Sequence, residues 1–398
     1  MTTYRTLDTA HLAGKRVLLR GGFDVSIENE KVTDATRIEA ILKTMKHILD
    51  QGALLIIMAH QGRPKDGPDP QFSQQPIAPV LEQLLHVKVH FAADCVGPEA
   101  EAAIAKAKAG EVVLLENLRF HPEEKKNDPA FAKKLASLAD VYVNDAFTNC
   151  HRAHASMVGV PKLIPAFMGF NLEQEVMHLG TVLDAPKHPL TLIISGAKME
   201  TKVPVIEKFL HLGDNVLLGG CIANTFIAAA GFPVGKSKYE AEATAQAQRF
   251  LTESREEGSA VIHIPTDVIV ATELSETAQG KNVQTDQIEG DLSIFDIGTE
   301  SARHYADIIE KSSMIIWNGP IGVYEYKNFT AASKVIAHAI ARATAKGAIS
   351  IIGGGDTVDF HTRYNLPLTP YTFVSMGGGA MLEFLAGEKF EALTVLEQ

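Results

Sequence analysis

The 398-residue chain has few of the features that mark several protein classes. Its three cysteines, Cys95, Cys150 and Cys221, are widely spaced and form no CxxC pair, which argues against a disulfide framework. Lys and Arg total 37 against 48 Asp and Glu, and the net charge of -11 disfavours nucleic acid as a partner. No aliphatic run approaches the roughly 18 residues of a membrane span, and no apolar signal segment opens the chain. We therefore expect a cytoplasmic protein with reduced thiols and no membrane partner.

Short aliphatic runs alternate with longer segments of helical period over nearly the whole chain. This alternation is typical of α/β proteins with buried, parallel strands. The predicted strands are Arg16 to Leu19, Leu54 to Met58, Val87 to Phe91, Val112 to Leu115 and Val141 to Val143, then Leu192 to Ile194, Val216 to Leu218, Val261 to Ile264, Met314 to Trp317, Ile349 to Ile352 and Thr372 to Val374. The predicted helices include Asp34 to Leu49, Ala130 to Leu138, Leu172 to Leu183 and Thr330 to Ala345. The third of these, followed by two prolines, marks the expected domain junction.

Basic side chains follow the strands of the first half. They are Arg20, Arg37, His60, Arg63, Arg119, His151 and Arg152. Any one arginine could be a surface ion pair, but the carboxyl ends of parallel strands meet at one edge, where ligands bind. Recurrence at successive strand ends therefore predicts a site for a small, highly charged anion. His151 and His154 have metal-like spacing but no completing carboxylate or cysteine cluster, so anion contact is the better interpretation of His151.

Glycines follow the strands of the second half, in Ser195-Gly196-Ala197-Lys198, Gly219-Gly220, Asn318-Gly319-Pro320, Gly353 to Thr357 and Gly377 to Gly379. Glycine lets backbone N–H groups close on phosphate oxygens, and a helix N-terminus adds a favourable dipole. One such cluster is also common in ordinary tight turns, but five clusters with Lys198 and Lys202 predict a nucleotide site. Asp356 is a candidate Mg²⁺ ligand.

Other nucleotide motifs are absent. Gly231 to Ser237 resembles a Walker A loop but has three residues between its glycines where the motif needs four, and the HRD and DFG elements of protein kinases are missing. An anion site in one domain and a phosphate site in the other predict phosphoryl transfer, which depends mainly on positioning and charge neutralisation. No general base stands out, which suits an acceptor that is already an anion, such as a carboxylate.

With these segments the chain resembles the phosphoglycerate kinase family from about Lys15 to its C-terminus. The matching segments are Asp34 to Ile38, His60 to Pro64, Glu116 to Glu124, Asn144 to Phe147, His151 to His154, Trp317 to Pro320, Gly353 to Thr357 and Gly377 to Ala380. The resemblance implies reversible transfer between ATP and 3-phosphoglycerate, with Mg²⁺, by a monomer. It also implies two doubly wound parallel-sheet domains joined by a helix, with a cleft between them. The expected ranges are 1–171 with 388–398 for phosphoglycerate, 172–186 for the joining helix and hinge, and 187–387 for nucleotide.

The resemblance also implies roles for particular residues. The acceptor would contact Arg20, Gly22, Phe23, Asp24, Arg37, His60, Gln61, Gly62, Arg63, Arg119, His151 and Arg152. The nucleotide would contact Gly196, Ala197, Lys198, Lys202, Gly219, Asn318, Glu325, Gly353, Gly354, Gly355, Asp356 and Thr357, with Glu325 at the ribose and Asp356 on the metal. The catalytic set would be Arg37, Lys198, Gly355 and Gly378, with Lys198 on the moving phosphoryl group.

Several positions depart from the family pattern. The family segment R-V-D-F-N-V-P is here Arg20-Gly21-Gly22-Phe23-Asp24-Val25-Ser26, its G-T-A is Thr148-Asn149-Cys150, its G-G-A-K begins at Ser195, its aspartate before the second lysine is Thr201, and its S-T-G-G-G contains Met376. Loss of the family aspartate at Gly22 and the extra charge of Asp24 predict weak acceptor binding. Alternatively, Asp24 replaces the lost carboxylate.

These departures leave two other hypotheses open. One is a catalytically impaired relative that still binds nucleotide, and the other is a kinase for a different small phosphorylated acid.

Overall fold

The computed structural model describes residues 2–65 and 67–398, which form two compact α/β units. Unit 1 runs to Met177 and also contains Lys389–Gln398, whereas unit 2 is His178–Glu388. The division falls inside helix α7, Phe170–Asp184. The expected binding of phosphoglycerate to the first unit and of nucleotide to the second remains a prediction.

Unit 1 is built on a six-stranded parallel sheet of order β5-β6-β4-β1-β7-β8. Its strands are β1 Arg16–Gly21, β4 Leu54–Met58, β5 Val89–Phe91, β6 Val112–Leu114, β7 Val141–Asp145 and β8 Ala166–Met168, and a small hairpin pairs β2 Ile27–Glu28 with β3 Lys31–Val32. Its helices are α1 Thr36–Ala40, α2 Leu42–Asp50, α3 Ala78–Leu85, α4 Pro98–Lys106, α5 Pro122–Lys125, α6 Pro129–Ala136, the first part of α7, and α15 Glu391–Thr394. The central strands are buried on both faces, as their continuous aliphatic runs require.

Unit 2 repeats this plan with a parallel sheet of order β11-β10-β9-β15-β16-β17. Its strands are β9 Leu190–Ile194, β10 Asn215–Leu218, β11 Val261–His263, β15 Met314–Asn318, β16 Ile349–Gly353 and β17 Phe373–Ser375. An antiparallel sheet adds β12 Asp267–Ala271, β13 Lys281–Gln284 and β14 Ser293–Ile297. Its complete helices are α8 Val203–Leu212, α9 Gly220–Ala229, α10 Thr244–Glu253, α11 Thr299–Ile309, α12 Ala331–Ala345, α13 Gly355–Arg363 and α14 Gly379–Leu385. The doubly wound α/β prediction is therefore confirmed.

Two details of the predicted elements were wrong. The single helix expected over Asp34 to Leu49 is two helices, because Ile41 has φ -103° and ψ 11° and interrupts the helical backbone. The three antiparallel strands, the hairpin and β8 were not foreseen. Polar strands such as Lys281–Gln284 carry no aliphatic run, so their pairing depends on neighbours distant in sequence.

The strand order reverses beside β1 in unit 1 and beside β9 in unit 2. Such switch points open a crevice at the carboxyl ends of the strands, which is the usual ligand site of open α/β sheets. The predicted basic side chains lie in or just after the ends of β1, β4, β6 and β7, except Arg37, which lies in α1. The glycine segments lie at or just after the ends of β9, β10, β15, β16 and β17. In each unit the fold therefore brings the predicted residues to the same sheet edge.

Candidate active site

The basic side chains of unit 1 form one electropositive cluster at the sheet edge. Arg20 is 1% exposed, His60 4% and Arg119 9%. Burial, together with the charges of Arg152 and Arg20, lowers the pKa of Arg119 to about 10. Such mutual repulsion shows that these cations are held close together, which is costly unless an anion occupies the site.

Arg20 is too buried to be an ordinary surface contact. Its guanidinium donates to Ser156 Oγ at 3.0 Å, to His60 Nδ1 at 3.1 Å and to the carbonyl of Gly21. Burial is the main cause that lowers its pKa, opposed by the charge of Glu124. Arg20 therefore faces His60, and Ser156 and Glu124 are participants that the sequence analysis missed.

Asp24 lies at the same edge with a left-handed backbone, φ +46°. Its Oδ1 accepts a hydrogen bond from Gly62 N at 2.8 Å, while its Oδ2 lies 3.8 Å from Arg37 Nη1 and 3.7 Å from His60 Nε2. Arg37 also donates to the Asp24 carbonyl at 2.9 Å. One carboxylate oxygen is thus fixed by the backbone, and the other faces two predicted acceptor residues.

The loop after β4 is held by polar contacts. Gln61 N donates to Asn117 Oδ1 at 3.2 Å, and Arg119 Nη1 donates to the Gly62 carbonyl at 2.7 Å. The Gln61 side chain itself bonds the backbone of Val25. Gln61 and Asn117 therefore hold the shape of this loop.

The other acceptor residues differ in position. Phe23 is buried in the hydrophobic core of unit 1, whereas Arg63 is exposed. His151 and Arg152 are half-buried. His151 Nδ1 is buried without a hydrogen-bond partner, and burial beside Arg152 and Arg119 lowers its pKa to about 4. An unpartnered nitrogen in the cationic cluster is consistent with a ligand contact.

The glycine segments of unit 2 frame a cavity of about 380 Å³. Its lining includes Gly196, Ala197, Lys198, Lys202, Asn318, Gly354, Gly355, Asp356, Thr357 and Gly378. Gly319 and Gly354 have φ of +93° and +99°, and a Cβ there would lie 2.6 Å from Ser195 O and 2.9 Å from Asn318 Nδ2. Only glycine fits at either position. Gly354 is the N-cap of α13 and Gly378 that of α14, so helix N-termini face this cavity.

The charged residues of this cavity are Lys198, Lys202 and Asp356. Lys202 Nζ donates to Asn318 Oδ1, and burial lowers the pKa of Lys202 to about 8 although Asp356 opposes the shift. Lys198 and Asp356 are exposed. A ligand with several phosphate oxygens would contact Lys202, which Asn318 holds in place, and the exposed Lys198. It would also lie beside Asp356, the carboxylate in the first turn of α13.

A second cavity of about 220 Å³ shares Gly196, Ala197 and Asp356 with the first. Its further lining includes Cys221, Asn224, Ile227, Asp296, Ile321, Tyr324 and Glu325. The mainly apolar walls suit a planar base, and Glu325 is exposed at its rim. Sequence reasoning missed Asn224, which lies one helical turn after Gly220 in α9, and Asp296, because β14 carries no glycine motif.

Three predicted nucleotide residues have structural contacts. A Cβ on Gly219 would lie 2.8 Å from Ile321 Cδ1, and one on Gly353 would lie 2.4 Å from Met381 Sδ. Thr357 Oγ1 accepts from Gly319 N and donates to the Gly353 carbonyl, both at 2.9 Å. These residues hold the loops in place, so a direct contact with nucleotide is not needed to explain their identity.

Asp94, Cys95 and His121 form another group of potential metal ligands in unit 1. His121 Nε2 and Cys95 N both lie 2.6 Å from Asp94 Oδ1, and Cys95 is fully buried. These hydrogen bonds account for the arrangement without a metal. In the described ranges, no helix is long and apolar enough to cross a membrane.

Comparisons with known proteins agree over nearly the whole chain. The family model described as phosphoglycerate kinase matches residues 7–388. A phosphoglycerate kinase of Moorella thermoacetica is 44% identical over 393 residues, 99% of each chain. The structure of phosphoglycerate kinase from Coxiella burnetii superposes with a TM-score of 0.89 at 36% identity and 99% coverage of both chains, and that from Pyrococcus horikoshii with 0.85 at 31% and 98%.

The chain is an α/β phosphotransferase, because it has two doubly wound units and is similar to phosphoglycerate kinases over nearly its whole length. The chain belongs to the phosphoglycerate kinase family. The comparisons support the active enzyme, and none favours the catalytically impaired alternative.

Proposed function

We propose that the protein catalyses reversible phosphoryl transfer between ATP and 3-phosphoglycerate, giving ADP and 1,3-bisphosphoglycerate. The proposal rests on the presence of two different phosphate-compatible sheet edges, one in each unit, in a member of the phosphoglycerate kinase family. Unit 1 gathers cations around a small anion site, and unit 2 frames a cavity with helix N-termini and lysines. Glycolysis is the pathway expected for this reaction.

In unit 1 we assign the acceptor to Arg63, Arg119, Arg152 and His60, with Arg37 beside the reacting carboxylate. Arginine suits this role because its planar fork pairs with carboxylate or phosphate and stays charged. The proximity of these residues is supported by two pKa shifts: the charges of Arg119 and Arg152 help to lower the pKa of His60, and the charge of Arg152 helps to lower the pKa of Arg119. His151 supplies a further contact through its unpartnered Nδ1.

In unit 2 we assign Lys198 to the transferred phosphoryl group and Lys202 to the nucleotide phosphates. Backbone N–H groups at Gly355 and Gly378 face the same cavity from the starts of α13 and α14, where the helix dipole favours negative charge. Charge that develops in the transition state would therefore meet preorganised donors.

The residues around Asp356 fit Mg²⁺ carried by a nucleotide. Such an ion is coordinated mainly by phosphate oxygens and water, with one or two protein carboxylates. Asp356 can supply that carboxylate, because it is the acidic side chain in the first turn of α13. When bound, the ion neutralises charge on the phosphates. Thr357 Oγ1 accepts from Gly319 N and donates to the Gly353 carbonyl, which leaves one of its two lone pairs available beside Asp356.

From the family resemblance we also expect a monomer that acts in the cytoplasm on small molecules, with no nucleic-acid partner. We further assign phosphoglycerate to unit 1 and nucleotide to unit 2.

A coupled assay in both directions tests the function. The wild type should turn over 3-phosphoglycerate with ATP, and Lys198→Ala or Arg37→Ala should lower kcat roughly 10²- to 10³-fold with a smaller change in KM. Arg63→Ala or Arg152→Ala should mainly raise the KM for phosphoglycerate, and Asp356→Asn should shift the Mg²⁺ titration of the rate. Turnover no higher than that of Lys198→Ala would refute the proposal, and preference for a related acid in competition would change the substrate.

A further inference from the structure

A buried chain of polar groups lies behind His60. Glu124, on α5, is 1% exposed and accepts from Ser156 N at 2.9 Å and from Ser156 Oγ at 2.5 Å. Ser156 lies in a short π-helical turn, Ala155–Gly159, and its Oγ accepts from Arg20 Nε at 3.0 Å. Arg20 Nη2 continues the chain to His60 Nδ1 at 3.1 Å. π-helical turns are rare and are found frequently at functional sites.

The hydrogen positions along this chain are determined by its chemistry. A guanidinium has donors only, so His60 Nδ1 must accept the hydrogen bond from Arg20. A neutral imidazole that accepts at Nδ1 carries its proton on Nε2. Ser156 Oγ accepts from Arg20 and therefore gives its own hydrogen to Glu124. Arg20 therefore donates on both sides, to His60 Nδ1 and to Ser156 Oγ, and Ser156 donates in turn to the Glu124 carboxylate.

The charge state of His60 is equally well defined. Burial and the nearby charges of Arg20, Arg119, Arg152 and His154 hold the pKa of His60 well below its usual range, so the ring is neutral near neutral pH. Its Nε2 points toward the acceptor edge, 3.7 Å from Asp24 Oδ2. In the Nε2–H tautomer this atom attracts an anion, whereas in the other tautomer its lone pair repels one.

We propose that Glu124, Ser156 and Arg20 are positioning residues that fix His60 in the Nε2–H tautomer, so that it presents a hydrogen-bond donor to the acceptor substrate. The proposal rests on the proposed function, because it takes phosphoglycerate as the anion that His60 contacts. It also explains why Glu124 is buried in this cluster. Its carboxylate provides the negative end of the chain, although it lies on the far side of Arg20 from His60.

The test is the ¹⁵N NMR spectrum of the full-length protein labelled at histidine, with the His60 signals identified by their loss in His60→Asn. The chemical shifts of the two ring nitrogens distinguish an acceptor from an N–H group. The wild type should show one His60 tautomer, with the proton on Nε2, in the absence of substrate. Ser156→Ala and Glu124→Gln should each produce a mixture, and the KM for 3-phosphoglycerate should rise roughly 3- to 10-fold, with kcat and the KM for ATP changed less than about 2-fold.

Ser312→Ala is the matched control, because Ser312 is a buried serine of unit 2 that bonds Thr191. It should lower stability comparably but leave the His60 spectrum and the phosphoglycerate KM unchanged. A wild-type ring protonated on Nδ1, or variants that raise KM without changing the tautomer, would overturn the proposal. If Glu124→Gln does not fold, Ser156→Ala decides the question. Absence of turnover by the wild type would instead refute the proposed function, and the spectrum would still report the tautomer.

Discussion

At the residue scale, Gly22 and Thr148 both depart from the family pattern, and the Thr148 side chain lies where a side chain on residue 22 would begin. A Cβ on Gly22 would lie 2.9 Å from Thr148 Oγ1 and 3.3 Å from Ala146 Cα. The family pattern has aspartate at the first position and glycine at the second. The Thr148 side chain therefore lies where the family's larger residue would begin, and we propose Asp24 as the replacement carboxylate.

This arrangement predicts the outcome of restoring the family residues. Gly22→Asp alone should lower stability by about 1 to 3 kcal/mol through overpacking and should not lower the KM for 3-phosphoglycerate, whereas Gly22→Asp with Thr148→Gly should recover the stability. Asp24→Asn keeps an acceptor for Gly62 N but loses the charge, so the KM should rise roughly 10- to 150-fold if Asp24 accepts the substrate hydroxyl. Thermal melts and steady-state kinetics measure both effects. A lower KM in Asp24→Asn would restore the interpretation that its charge only repels substrate.

The three cysteines differ in how deeply they are buried. Cys95 and Cys150 are buried, and burial raises the pKa of Cys95 well above its usual range and that of Cys150 to about 12. Cys221 is half-buried and lines the cavity that we assign to the nucleotide base.

We therefore expect iodoacetamide to label Cys221 at least about 10-fold faster than the other two thiols in the native protein. ATP should slow this labelling, and Cys221→Ser should abolish the fast phase. Mass spectrometry of peptides provides the measurement, with phosphoglycerate as the control ligand. Equal protection by both ligands would contradict the assigned cavity.

At the element scale, helix α7 begins against a buried carboxylate. Asp145 Oδ1 accepts from Leu172 N at 2.7 Å, while Thr44 Oγ1 accepts from Phe170 N at 2.9 Å. Asp145 Oδ2 is buried without a hydrogen-bond partner, and burial raises the pKa of Asp145 from 3.8 to about 7. Ionisation of Asp145 in the folded protein therefore opposes folding as the pH rises toward and above neutral.

The sign of the pH dependence follows from the raised pKa. Between pH 3.8 and about 7 the native state holds more protons on Asp145 than the unfolded state, so this residue's contribution to stability falls as pH rises through that range. Asp145→Asn removes this titration. The stability of the variant relative to the wild type should therefore increase by roughly 1 to 4 kcal/mol as the pH rises from about 4 to about 8. Urea unfolding followed by a probe in unit 1 is the measurement. A difference that is independent of pH would mean that Asp145 titrates normally.

At the scale of the whole molecule, unit 1 is discontinuous in sequence. Residues of the C-terminal segment return to it: Arg5 N donates to Leu396 O at 3.0 Å, Arg5 Nη2 donates to Val395 O at 2.7 Å, and Lys162 pairs with Glu391 at 2.8 Å. Leu393 and Leu396 are buried. The segment therefore completes the core of unit 1 although it follows unit 2 in the chain.

Deletion of residues 389–398 should accordingly destabilise unit 1 and spare unit 2. Hydrogen exchange should accelerate in β1, β7 and β8, while amides in β9, β15 and β16 keep their protection. Lys162→Ala is the control, since it removes only an exposed ion pair worth about 0 to 1 kcal/mol. Uniform loss of protection in both units would show that they unfold together.

The aliphatic runs by themselves were sufficient to predict the doubly wound class, and Leu54–Met58 was placed at its observed bounds. A buried parallel strand must be apolar on both faces, so its signal is local. The residues at the strand ends could be predicted for the same reason, because topology brings successive carboxyl ends to one edge. The family pattern added the nucleotide and acceptor roles.

Only the tertiary structure showed the contacts made between segments far apart in the chain. Glu124, Ser156, Arg20 and His60 come from four separate elements, and nothing in their spacing indicates a hydrogen-bonded chain. The same applies to Thr148 beside Gly22 and to the polar strand Lys281–Gln284. Local sequence determines which elements form, because periodicity and burial act over a few residues. Which polar groups then meet depends on long-range packing, and that packing determines the tautomer of His60 and the environment of Asp24.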